Sequence, residues 1–138
     1  MPAMSDPSEG KVLLIGFKPD ITISRELQGR FGTASEIAAK LDADHARIQR
    51  AGIAPVVFRL DPREQEKGLQ ALRSLLGEER YEAIGIGAGV RFIPEHTALF
   101  ETIVNLCIAM APGVPLMFND GPGGNAETVQ RVLGVQIP

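Results

Sequence analysis

Apolar positions along the chain alternate between two rhythms. Compact apolar runs occupy Lys11–Phe17, Ile53–Leu60, Tyr81–Gly87 and Val114–Phe118, the pattern of strands covered on both faces. Between them the apolar positions take helical spacing. Ala34, Ile37, Ala38, Leu41 and Ile48 follow a Thr33/Glu36 capping-box pair, and Gly52 stops that helix. Asp61-Pro62-Arg63-Glu64 is a helix start, Leu69, Leu72, Leu75 and Leu76 form one stripe, and Gly77 is the expected stop. Pro94 opens a long apolar segment to Ala111. Asn125 is placed to cap a short helix to Leu133, and Val135-Gln136-Ile137 has the pattern of a short last strand.

Strands alternating with helices predict a parallel sheet with helices on both faces, a three-layer α/β sandwich. Pro55 and Pro115 suit edge strands, whereas the first and third strands lack proline and are the most apolar. Right-handed crossovers then give the order 2-1-3-4, the flavodoxin-like arrangement, with a fifth strand if Val135–Ile137 pairs. The ligand position in such a sheet is the switch point at the carboxyl ends of strands 1 and 3. Residues 11–138 are expected to form a single domain behind a disordered tail, residues 1–10. The long aperiodic connection Lys18–Gly32, with one or two helical turns available at Ser24–Arg30, has the character of a lid or binding loop.

Composition narrows the classes. Of 138 residues, 44% are hydrophobic and 22% charged, and the net charge is -3 without a basic run. That argues against nucleic acid and against a membrane surface as partners, and 5% aromatic content without tryptophan argues against base-stacking platforms. No apolar run is long enough to span a bilayer and no signal-like amino terminus is evident. The single Cys107 fits a reducing, cytoplasmic setting.

Candidate chemistry collects after the strands. Gly85-x-Gly87-x-Gly89 can bring backbone N–H groups to an anion, or can simply make a small-residue face on which a helix packs. Val90 stands where a dinucleotide fingerprint needs its third glycine. Arg91, ending that loop, can grip a phosphate or carboxylate or remain a solvated or Glu95-paired arginine. Lys18 has the same two readings, with Asp20 as the competing partner. Asn119 and Asp120 begin a second glycine-rich loop, where Asp120 could orient a hydroxyl, although turn chemistry is the commoner use of Asn-Asp-Gly-Pro. Arg25 and Arg30 read as mobile surface arginines. His96, near a helix start, is a conceivable acid–base group or an ordinary surface histidine. His45, in register with Leu41 and Ile48, is expected in the core or an interface, and Cys107 as a buried inert thiol. No metal-ligand spacing, phosphate-loop signature or nucleophile elbow occurs, and no cofactor is indicated.

Two functions follow: binding of a phosphate- or carboxylate-bearing small molecule by Lys18, Gly87, Gly89, Arg91, Asn119 and Asp120, or a non-catalytic assembly module. The segment Pro94–Ala111 favours self-association, because its apolar residues cover far more than the arc one sheet can bury. Either a second copy, through this helix or the strand edge at 114–118, or the carboxyl-terminal helix and tail must cover the excess.

Overall fold

The computed structural model describes residues 10–18 and 29–138. Its elements are β1 (Lys11–Phe17), α1 (Ala34–Arg50), β2 (Ala54–Leu60), α2 (Gln65–Glu78), β3 (Ala83–Ile86), the short α3 (Ala88–Arg91), α4 (Thr97–Met110), β4 (Leu116–Phe118) and α5 (Asn125–Leu133). Single 3-10 turns at Pro62–Glu64 and Pro94–His96 lead into α2 and α4. The sheet is four-stranded, parallel and ordered β2-β1-β3-β4, as the proline placement predicts. The amino-terminal tail and most of the Lys18–Gly32 connection, including Arg25, lie outside the described residues.

Two cores lie on the two sheet faces. Leu13, Ile15, Ile84 and Ile86 turn toward α2 and α4, where Leu72, Leu76, Leu99, Ile103 and Cys107 are buried. Val12, Leu14, Ala83 and Met117 turn toward α1 and α5, where Ile48, Ala126 and Val129 meet them. The alternation along β1 therefore divides its side chains between two apolar layers, which is why the strand is apolar throughout. Gly85 belongs to the α5 side. A Cβ there would sit 3.2 Å from Leu14 Cδ2 and 3.3 Å from Met117 Cε, so its smallness serves packing.

Three expectations need correction. Val135–Ile137 adds no fifth strand: Ile137 is buried in the α1/α5 core, and its N–H bonds Gln130 Oε1 of α5 at 3.0 Å. Asn125 is not the cap of α5, because Gly124 holds that position without a side-chain bond. Gly77 does not stop α2, which continues through Glu78. The Thr33/Glu36 capping box does form, with Glu36 Oε1 accepting from Thr33 N at 2.9 Å and Thr33 Oγ1 from Glu36 N at 3.2 Å.

The apolar surplus of α4 is covered only in part. α2 packs beside it and Phe100, Val104, Leu106 and Met110 become partly buried, while Ile108 remains 57% exposed. The carboxyl-terminal helix and tail cover none of it, since they belong to the opposite core.

Candidate functional site

The carboxyl ends of β3 and β4 are tied together by a buried polar chain. Asn119, 8% exposed at the end of β4, accepts the Ala88 N–H on its Oδ1 at 3.0 Å. Its Nδ2 donates to Asn125 Oδ1 at 2.7 Å. The backbone N–H groups of Asn125 and Ala126, the first two residues of α5, donate to the carboxylate of Asp44 at 2.6 and 2.9 Å. Asp44 reaches them from α1 and is only 2% exposed. An internal carboxylate thus caps α5 in place of the missing Asn125 cap, favoured by the partial positive charge of a helix amino terminus. Burial raises the Asp44 pKa, and the N–H groups of Ala126 and Asn125 oppose that rise.

Arg91 completes the tie. Its Nε donates to Ile86 O of β3 at 3.3 Å and its Nη2 to Asn119 O at the end of β4. The guanidinium also lies over the Phe92 and Phe118 rings, 4.9 and 5.4 Å from their centroids. Burial lowers its pKa, and Asp120 offsets part of that.

Beside this tie opens a cleft of about 790 Å³, lined by the 118–124 segment, Arg30, Phe31, Lys40, Glu127, Thr128 and Arg131. Lys40 Nζ donates to Phe31 O at 3.3 Å, and Arg131 Nη2 donates to Phe118 O at 3.0 Å. Arg30 lies over Phe92 at 4.5 Å, and Phe92 stacks with Phe31. A smaller crevice of about 60 Å³ marks the β1/β3 switch point, where Gly16, Gly87, His45, Arg59, Asn119 and Asn125 face one another. Burial holds His45 below its usual 6.5, against the pull of Asp44.

Of the expected residues, Gly87, Gly89, Arg91, Asn119 and Asp120 gather at the β3 and β4 ends. Lys18 stands apart on the β2 side: its N–H bonds Leu60 O at 3.2 Å, and its charge acts on Asp61. Gly87 touches β1, its N–H on Ile15 O at 2.8 Å and a Cβ there 3.3 Å from that oxygen. Gly89 faces open space. Asn119 has both amide ends bonded inside the protein, and Asp120 lies on the cleft wall beside Gly124. His96 packs edge-on against Phe17 at 5.1 Å. Cys107 is buried, its thiol pushed up to about 11. Among the described residues no cluster of three or more His, Cys, Asp or Glu side chains could hold a metal.

Sequence reasoning missed Asp44, Lys40 and Arg131. Asp44 had a signal: it follows Leu41 by three residues and precedes Ile48 by four, a carboxylate inside an apolar stripe. Lys40 and Arg131 had none, being 91 residues apart and joined only by the packing of α1 on α5. The chain matches no protein-family model, no curated protein and no solved structure in comparison with known proteins.

Proposed function

We propose that the protein binds a small anionic molecule in the cleft beside the 118–124 segment. One observation carries this reading. Arg30, Lys40 and Arg131 converge on the cleft, and among the described residues none of them has a carboxylate within ion-pair distance. Three cations elsewhere are paired with carboxylates, Lys11 with Glu79 at 3.0 Å, Arg47 with Glu127 at 2.7 Å and Arg63 with Asp61 at 2.9 Å, whereas Arg30, Lys40 and Arg131 share one concavity. Positive charge concentrated in a concavity of a chain with net charge -3 favours an anionic ligand. In this reading Arg91 and Asn119 act behind the site, fixing the strand ends from which the loop projects. Thermal-shift measurements with phosphate, pyrophosphate and dicarboxylates test it. A melting temperature that rises with anion concentration in the native protein, and fails to rise in Lys40→Glu, is the expected result. A rise of equal size in both proteins removes the cleft as the binding site.

A second reading rests on α4. Ile108, 57% exposed, follows Val104 and Phe100 at four-residue spacing, and the Phe100 ring meets the 37% exposed Phe118 edge-on. Self-association through this stripe would cover surface that no other part of the described chain covers.

A further inference from the structure

Resting on the anion-binding reading of the cleft, we infer that its ligand is an organic phosphate ester, held as a dianion with its organic part against phenylalanine. Charge comes first. Arg30, Lys40 and Arg131 line the cleft; of its two carboxylates Glu127 is already paired with Arg47 at 2.7 Å, which leaves Asp120 in the lining, while Glu36 outside it acts on Lys40. Arg91 stands directly behind, over the Phe118 ring at 5.4 Å. One negative charge leaves such a lining positive, and a phosphate monoester brings close to two near neutral pH.

Geometry favours phosphate over other anions. Each cation is anchored before any ligand arrives: Lys40 by Phe31 O, Arg131 by Phe118 O, and Arg30 by lying over Phe92 at 4.5 Å. A guanidinium has five N–H donors, so Arg131 keeps four for a ligand after bonding Phe118 O. Planar donor forks on fixed stems match the several oxygens of a phosphate, and little side-chain freedom is lost on binding. Gly123 faces open space, so the loop backbone can be approached closely there. The amino terminus of α5 contributes no anion subsite, because Asp44 already holds its first two N–H groups.

The organic part follows from the other walls. Phe31 and Phe118 line the same cleft, and Phe118 remains 37% exposed. At about 790 Å³ the cleft greatly exceeds inorganic phosphate and suits a molecule of nucleotide size.

The test is calorimetric titration of the full chain with five probes: inorganic phosphate, succinate, a nucleoside, its 5′-monophosphate, and a hexose 6-phosphate. At least one ester is expected to bind about tenfold more tightly than phosphate or succinate, and the nucleoside not measurably. Lys40→Gln and Arg131→Gln should each weaken that ester by about tenfold, and Asp120→Asn should strengthen it, with melting temperatures showing that the variants fold. Succinate binding as tightly as the esters would overturn the phosphate assignment and leave the anion cleft standing. So would inorganic phosphate binding as tightly as they do, for the organic part. Absence of binding by every anion, or binding indifferent to Lys40 and Arg131, would overturn both readings.

Discussion

Three glycines close in sequence do three different things. Gly85 packs against the Leu14 and Met117 side chains, Gly87 approaches the β1 backbone, and Gly89 meets no neighbour at its Cβ position. Gly85→Ala should therefore destabilise by about 1–3 kcal/mol through overpacking, whereas Gly89→Ala should be neutral or stabilising by up to about 1 kcal/mol, since alanine favours helix. Urea denaturation of both variants measures the contrast, and equal losses would contradict the packing described. Asp44 gives the larger effect. Its removal in Asp44→Ala leaves two buried N–H groups without an acceptor, a loss of about 3 kcal/mol. Its neighbour His45 gives a pH dependence of definite sign. The folded-state pKa lies below 6.5, so the unfolded chain takes up the proton first. Stability from His45 is complete above 6.5 and declines as pH falls from there to the folded value. Asp44, raised above 3.8, acts oppositely in its own lower window, where acidification favours the folded state. Melting temperatures of the native protein should fall on acidification below 6.5, and His45→Gln should flatten that slope. An unchanged slope in the variant would show that His45 is not its source.

Among the elements, β4 carries a sheet edge and α4 an exposed apolar stripe. β4 is an edge strand of only three residues, preceded by Pro115. The Pro115 carbonyl bonds Ile84 N of β3, so by alternation Leu116 and Phe118 present their backbone groups outward. Arg131 occupies the Phe118 carbonyl, so part of that outward ladder is already bonded. The face of α4 has no comparable block. If copies associate, they should do so through Phe100, Val104 and Ile108, and Ile108→Glu should shift sedimentation toward monomer without lowering stability. A native protein that sediments as a monomer at micromolar concentration would end this reading.

At the scale of the whole molecule, the α1/α5 layer and the loop after β4 create the cleft. α1 and α5 are fastened by Asp44 and by the Arg47–Glu127 pair, and Arg47 Nε on Pro138 O at 3.1 Å ties α1 to the tail that follows α5. That layer brings Lys40 and Arg131 to one mouth beside the β4 end. No described helix is long and apolar enough to cross a membrane. The sequence by itself determined the four strands, their order and the four longer helices, because apolar periodicity, proline placement and crossover handedness are local or topological constraints legible one segment at a time; it did not exclude a fifth strand or reveal the short α3. It also carried the capping box and the burial of Cys107, which depend on neighbours three or four residues away. Which cations share one cleft was decided only by tertiary structure, since it depends on how α1 docks on α5. The same packing opens a roomy cleft beside the β4 loop and leaves only a small crevice among the described residues at the β1/β3 switch point. There Asn119 and Asp44 consume the N–H groups that a glycine loop and a helix start would otherwise have offered to a ligand.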